Sequence, residues 1–260
     1  MGTVTSDLKK ESTSKYILSD KNLFQLESEL LSFATIPRSD IIIKNVKVGE
    51  WLNPKTNEVE DIYTRSFICG HTTKSLNKET KPILVFVHGF AASCCLFYKV
   101  YGTLSKYFCL IMIDIIGMGG SSRPDNFSRK NGPQESIDYF INYFERWRVA
   151  MNNLTNFYLA GHSFGGYLVG NYALKYHKHI RKLVLLSPVG IRVPVKQMDG
   201  YQEFVMKAKQ VKEQGGAAPP LYYHAVMKIL WRQEMSPFGF IKFVGEKQTK
   251  KLLVGYLDRR

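Results

Sequence analysis

Apolar positions along the chain change period several times, and each change predicts an element. Residues 21–35 carry Leu23, Phe24, Leu26, Leu30, Leu31 and Phe33 at helical spacing, which predicts a leading helix. From Ile41 to Cys69 the pattern becomes strand-like, with Ile41, Ile42, Ile43, Val46 and Val48 before a polar turn at Asn53-Pro54-Lys55-Thr56-Asn57 and Ile62, Tyr63 and Ile68 after it. An antiparallel hairpin follows from that pattern. Beyond a Thr-, Ser- and Lys-rich loop over 72–81, the run Ile83-Leu84-Val85-Phe86-Val87 is short and apolar throughout, as a parallel strand covered on both faces requires. Strands and helices then alternate. Residues 94–107 read as a helix and 109–113 as a strand. Residues 136–154 read as a helix with Ile137, Phe140, Ile141, Phe144, Trp147, Met151 and Leu154 on one face. The strand 157–160, a helix from Gly165 to Tyr176 and a buried-looking strand 183–186 complete the series. This order predicts an α/β fold: a mostly parallel sheet behind a leading antiparallel hairpin.

The domain reading is a leader with a helix over 1–40, a core over 41–190, and a basic region of short helices over 191–260. That last stretch breaks at Gly215-Gly216-Ala217-Ala218-Pro219-Pro220 and at Ser236-Pro237-Phe238-Gly239, and it offers no further buried parallel strand. The 260 residues carry 36 Lys and Arg against 22 Asp and Glu, a formal charge of +14. Residues 191–260 hold 13 basic and 6 acidic residues, so half of the excess lies there. The charge favours anionic partners. Nucleic acid is disfavoured because the basic residues are spread and the aromatics fall on core-like faces.

Cys69, Cys94, Cys95 and Cys109 form no CxxC pair, and no histidine stands at zinc-finger spacing; reduced, mostly buried thiols in an intracellular compartment and no metal are expected. No stretch approaches the ~20 apolar residues of a membrane span, and the N-terminus lacks a secretory h-region. It reads Met1-Gly2-x-x-x-Ser6, a pattern for myristoylation of Gly2, against which a frayed polar terminus is the plainer reading. With Lys9 and Lys10, one acyl chain would give reversible membrane attachment.

Candidate chemistry concentrates where strands are expected to end. Gly161-His162-Ser163-Phe164-Gly165-Gly166 lies between a strand and a helix, and Gly-x-Ser-x-Gly in that context is a nucleophile elbow presenting Ser163 at the positive end of a helix. Its plainer alternative is a glycine-rich turn with an ordinary exposed serine. Val87-His88-Gly89-Phe90 closes another strand, where the backbone N–H of Phe90 and that of Phe164 would form an oxyanion hole. His88 is expected to order this loop and not to serve as the base, while Gly89, Gly161, His162 and Gly165 support the turn. The glycines of Asp114-Ile115-Ile116-Gly117-Met118-Gly119-Gly120-Ser121-Ser122-Arg123-Pro124 lack both a Lys-Ser/Thr pair and Gly-x-Gly-x-x-Gly, which excludes a nucleotide phosphate loop. No cofactor is expected.

These three motifs, in this order, resemble the α/β-hydrolase superfamily over about residues 40–190. Gly117-x-Gly119-x-Ser121-Ser122-Arg123-Pro124, Glu145-Arg146-Trp147-Arg148, the elbow through Tyr167, Leu174-Lys175-Tyr176 and Leu186-Ser187-Pro188-Val189-Gly190 resemble the α/β-hydrolase-domain lipid proteins. That branch comprises N-acyl-phosphatidylethanolamine lipases, lysophosphatidic acid acyltransferases and a lipase co-activator of lipid droplets. The segment 236–241 is similar to part of their cap. The resemblance implies a serine-type ester hydrolase or acyltransferase of lipid metabolism, an acyl-lipid or phospholipid substrate, and a basic cap over 191–260 that meets anionic head groups. It also implies a cytoplasmic place at membrane or lipid-droplet surfaces, mitochondria among the candidate membranes, and a lipase as a candidate partner. A carboxylate-nucleophile reaction is disfavoured, since the elbow holds Ser163.

In this fold the acid and then the histidine follow the serine. After Ser163 come His177 and His179, expected at the end of the following helix, and His224, Asp199 and Asp258, none behind a recognisable sheet strand. The acid and base are therefore unassigned. The family's sheet continues past the cap, whereas this chain ends at Asp258-Arg259-Arg260, so the last core strands are expected to be absent and one sheet edge exposed, with poor solubility unless a partner covers it. Two readings stay open: the N-terminal part of a Ser163-dependent lipid enzyme, or a catalytically impaired protein that binds acyl lipid or regulates a lipase.

Overall fold

A computed structural model describes residues 17–70, 81–124, 126–127, 132–190 and 200–215. The chain divides into two compact units, residues 1–191 and 192–260. In the first, α1 (Ile17–Ser32) precedes the hairpin β1 (Ile42–Asn53) and β2 (Glu58–Cys69). There follow β3 (Ile83–Val87), α2 (Tyr98–Ser105), β4 (Cys109–Ile113), α3 (Pro133–Ala150), β5 (Phe157–His162), α4 (Phe164–Tyr176) and β6 (Ile180–Leu186). The second unit contributes α5 (Gly200–Glu213). Gly2, Lys9, Lys10, Asp199, His224, the segment 236–241 and Asp258 lie outside the described residues.

The sheet order is β1-β2-β4-β3-β5-β6. β1, β2 and β4 pair antiparallel, while β4, β3, β5 and β6 run parallel. The hairpin turn is held by Asn53, whose carbonyl accepts from Asn57 N at 2.8 Å and whose side-chain oxygen accepts from Lys55 N at 2.9 Å.

The uninterrupted apolar runs of β3 and β4 feed two separate cores, because successive side chains point to opposite faces. Val85, Val87, Ile111 and Ile113 pack with Trp147 of α3 and Leu168 and Tyr172 of α4. Leu84, Phe86, Leu110 and Met112 pack on the other face with Leu31 of α1 and Tyr101 of α2. The leading helix is pinned by a buried ion pair between Glu27 and Arg65, whose Nε donates to Glu27 Oε1 at 3.0 Å.

Three elements differ from their sequence patterns. Residues 94–107 divide into a 3-10 turn, Cys94–Phe97, and the shorter α2, because Cys94 N–H is drawn to the Asp114 carboxylate at 2.7 Å and Ser93 Oγ accepts from Cys95 N. α3 starts at Pro133, where the Glu135 carboxylate accepts the Gly132 N–H at 2.9 Å, and stops at Ala150, so Met151 and Leu154 reach the core from beyond the helix. The third difference is β6. Its apolar run reads as buried, yet Leu183, Val184, Leu185 and Leu186 are 36–42% exposed. The strand lies at the sheet edge, paired among the described residues with β5 alone.

The four cysteines are free thiols, and burial pushes that of Cys69 up to about 12. No helix among the described residues is long and apolar enough to cross a membrane.

Candidate functional site

The elbow is built by close approach of backbones. β5 carries Gly161 and His162 to the sheet's C-terminal end, and α4 begins at Phe164. A side chain on Gly165 would collide with the carbonyl oxygens of His88 and Val87, and one on Gly161 would come within 2.5 Å of the Gly165 carbonyl oxygen. Only glycine lets α4 start so near β3 and β5. Between them Ser163 takes φ 54° and ψ −116°, a strained conformation for a residue with a side chain. Its surroundings hold it there: Ser163 N donates to Leu186 O at 3.0 Å, and its carbonyl accepts from Tyr167 N at 3.1 Å and Val189 N at 3.2 Å.

Phe164 opens α4, where the first N–H groups have no intrahelical acceptor and the helix dipole is positive. The loop after β3 lies against the elbow: an added Cβ on Gly89 would be 3.2 Å from both Ser163 Cβ and His162 Nδ1. The rings of Phe90 and Phe164 meet edge-on at 6.2 Å. Gly89, Phe90, His162, Ser163 and Phe164 are thus neighbours, with Ser163 half-buried among them. The His162 ring packs edge-on against Phe97 at 5.6 Å, and its buried Nδ1 has no hydrogen-bond partner among the described residues.

His88 is fully buried. Its Nε2 accepts from Ile115 N at 3.0 Å, so the proton sits on Nδ1, which donates to Gly89 O at 2.6 Å. Burial, opposed by the nearby Asp114 carboxylate, holds the imidazole below the ordinary histidine range, and it is neutral at pH 7. Both nitrogens are committed to backbone, an arrangement that orders the loop and leaves nothing to accept a serine proton.

Sequence reasoning missed Asp114. The carboxylate is fully buried at the end of β4 and accepts from Cys94 N at 2.7 Å, Gly120 N at 2.8 Å and Ser93 Oγ at 3.2 Å. It thereby joins the loop after β3 to the loop after β4. Gly119, with φ 51°, is where a side chain would strike this carboxylate, the one local sign of the role in the glycine-rich motif. The same loop is laced to β2 by Ser121 and Ser122, which accept the N–H groups of Arg65 and Tyr63 at 2.9 and 2.8 Å.

Behind the elbow, α3 and α4 are tied by Glu145. It accepts from Arg148 Nη2 and Tyr172 Oη, both at 2.6 Å, while Arg148 Nη1 donates to Leu154 O at 3.0 Å. Burial raises the Glu145 carboxyl, but these charge-assisted bonds outweigh it and the net shift is downward.

Of the histidines and acids that follow Ser163, His177 and His179 lie on a 3-10 turn at the far end of α4. That 13-residue helix is about 20 Å long, too far for either to reach Ser163. Asp199, His224 and Asp258 are outside the described residues. No group of three His, Cys, Asp or Glu suited to a metal occurs among the described residues.

A family profile described as the alpha/beta hydrolase fold matches residues 82–217. Among curated proteins, a 1-acylglycerol-3-phosphate O-acyltransferase of Arabidopsis thaliana is 33% identical over 227 residues, covering 84% of this chain and 48% of that protein. A (lyso)-N-acylphosphatidylethanolamine lipase of Bos taurus is 33% identical over 162 residues, covering 62% of this chain and 41% of that one. The chain therefore spans less than half the length of these relatives. Among solved structures, Lip1 of Acinetobacter baumannii AYE matches at 20% identity with a TM-score of 0.50, covering 79% of this chain and 55% of that one, a likeness of fold alone. Since the profile runs from before β3, through the elbow and past α5, over more than half of the sequence, this chain belongs to the α/β-hydrolase fold family.

Proposed function

We propose that the chain carries the nucleophile and oxyanion loop of a serine-dependent acyl-lipid hydrolase or acyltransferase. The observation that carries this is the strained Ser163 at the first turn of α4, with the Gly89-Phe90 loop packed against it.

In this reading Ser163 Oγ attacks the acyl carbonyl carbon, and the oxygen that becomes anionic accepts from the N–H groups of Phe90 and Phe164. Collapse expels the lipid alcohol, protonated by the base that took the Ser163 proton, and leaves the acyl group on Ser163. Water then completes hydrolysis, or the hydroxyl of a lysophospholipid completes transfer. The Ser163 proton passes to a base supplied after the elbow in chain order, as the fold's acid and histidine are. Two relatives whose names specify acylglycerol phosphate and N-acylphosphatidylethanolamine support an acyl phospholipid as substrate. The excess of basic over acidic residues in 191–260 supports an anionic head group and a peripheral place on anionic membranes or lipid droplets.

The test is to incubate the protein with acyl-labelled N-acylphosphatidylethanolamine or phosphatidylcholine, quench in acid, and map peptides by mass spectrometry. Acyl mass on the Ser163 peptide, absent from Ser163→Ala, is expected. Lipid that binds without any Ser163-dependent acylation or turnover would instead assign the chain to lipid binding.

A further inference from the structure

β4, β3, β5 and β6 run parallel, so the loops that lead into them emerge at the end of the sheet opposite Ser163. Those loops are residues 81–82 before β3, 106–108 before β4, 151–156 before β5 and 177–179 before β6. Together with the first residues of β6 they carry Lys81, Lys106, Lys178, Arg181 and Lys182, and not one Asp or Glu. The register keeps them at one level: Ile83 pairs with Cys109, Leu84 with Tyr158 and Phe157 with Ile180. With neighbouring strands about 4.8 Å apart, the row of strand ends from β4 to β6 is about 14 Å long.

Two features separate this row from a scatter of solvated lysines. First, β6 begins with a register shift: Phe157 faces Ile180 but Tyr158 faces Lys182, which leaves Arg181 as an extra residue. Such bulges re-aim a side chain, and they are rare in parallel pairs. Here the Arg181 guanidinium lies over the Tyr158 ring, 5.3 Å from its centre, and that ring meets Phe108, just before β4, at 5.7 Å. The stack holds a long side chain in place without neutralising it. Second, the charges are uncompensated. Lys81 Nζ donates to a neutral group, Ser105 O, at 2.7 Å. Lys106, Lys178, Arg181 and Lys182 are exposed and form no ion pair among the described residues. Glu145, whose carboxyl feels His179, is committed to Arg148 and Tyr172. Like charges gathered in this way repel one another, and an anionic partner relieves that repulsion.

We propose that this end of the sheet is a docking face for an acidic segment of a partner protein, laid across the strand ends from Lys106 to Lys182. An extended segment covers about 14 Å with about four residues. The other exposed groups suit a polypeptide and not a bilayer. Asn152, Asn153 and Asn156, with φ of 62°, 54° and 56°, offer amide donors and acceptors and no apolar group to insert. Tyr107, 67% exposed, adds one aromatic surface with a hydroxyl at its tip. β5 is six residues long, so Ser163 lies about 20 Å away at the other end of the strand. A bilayer held here would be out of reach of the elbow, whereas a bound protein leaves the elbow open. The docking face stands apart from the reading of Ser163 and does not depend on it.

Fluorescence anisotropy of the full chain tests this, with a fluorescein-labelled peptide that carries two Glu pairs separated by about four neutral residues. It should bind more tightly than a peptide of the same composition with its Glu residues contiguous. Lys106→Glu, Lys178→Glu and Lys182→Glu together should weaken binding by roughly tenfold or more. Lys44→Glu, Lys209→Glu and Lys212→Glu change the net charge equally elsewhere and should weaken it by less than about twofold. Arg181→Lys keeps the charge but loses the flat stack on Tyr158, and a several-fold loss is expected. Should the first triple variant fail to fold by circular dichroism, Lys106→Gln, Lys178→Gln and Lys182→Gln replace it, with a smaller loss that still exceeds the control's. Equal losses in the patch and control variants, or indifference to the Glu spacing, would overturn the docking face in favour of a general charge effect. Peptide binding left intact by the patch variant, while its sedimentation with phosphatidylserine vesicles is abolished, would overturn it in favour of a bilayer.

Discussion

His88 Nε2 and the backbone nitrogen of Ile115 are 3.0 Å apart, with the imidazole accepting the hydrogen. One fully buried side chain thus holds the ends of β3 and β4 in register beside the elbow. His88→Ala would leave the Ile115 N–H unpaired, leave the Gly89 carbonyl with the Ala92 N–H alone at 3.3 Å, and open a cavity, a destabilisation of about 2–4 kcal/mol. Thermal melting checks the size. A variant within a few tenths of a kcal/mol of the parent would contradict the ordering role.

Gly165 lets α4 start against β3. In Gly165→Ala the methyl meets the carbonyl oxygens of His88 and Val87, which are backbone and cannot rotate away. The expected result is a loss of about 2–3 kcal/mol, comparable to severe overpacking. Gly170, in the same helix, meets nothing within 4 Å, and Gly170→Ala is the control, expected to be neutral or slightly stabilising. Equal melting temperatures for the two variants would show that the close approach is not required.

The Glu145 carboxyl is shifted downward from 4.5 in the folded chain. A group with a depressed folded value binds its proton more readily when unfolded, so its contribution is present above about pH 4.5 and is lost as pH falls through the folded value. Glu145→Gln should cost about 1–3 kcal/mol at pH 7, because Arg148 keeps its charge but loses its partner. The difference between parent and variant should shrink below pH 4.5. A gap that stays constant down to pH 3 contradicts the assignment.

Val184, 41% exposed on β6, lies on the edge strand of the sheet formed by the described residues. Val184→Lys should reduce self-association, since a charge on an exposed edge opposes pairing with another chain. Light scattering against concentration is the readout, and an undiminished slope counts against edge-driven association.

Much of this arrangement is local and therefore readable from sequence. The continuous runs of β3 and β4, the polar turn of the hairpin and the glycine spacing around Ser163 each follow from period or backbone demand over a few residues. Asp114 is different, since its partners Ser93 and Cys94 come from another loop and only folding unites them. The same bond to Cys94 explains why a stretch that reads as one helix opens as a 3-10 turn. β6 resembles β3 in composition, and what distinguishes it is its place in the sheet order, which no local pattern encodes. The base for Ser163 stays unassigned for a related reason: a triad is set by spatial proximity, and the predicted helix after the elbow already carries His177 and His179 away from the serine, as α4 does.

The central claim is that Ser163 is an activated nucleophile facing an oxyanion hole. An alkyl fluorophosphonate probes it directly, because the reagent needs both a nucleophilic serine and donors for its phosphonyl oxygen. The account predicts a single adduct on the Ser163 peptide, absent from Ser163→Ala and suppressed by prior incubation with long-chain acyl phospholipid. No adduct on the folded protein, or an adduct that persists in Ser163→Ala, would contradict it.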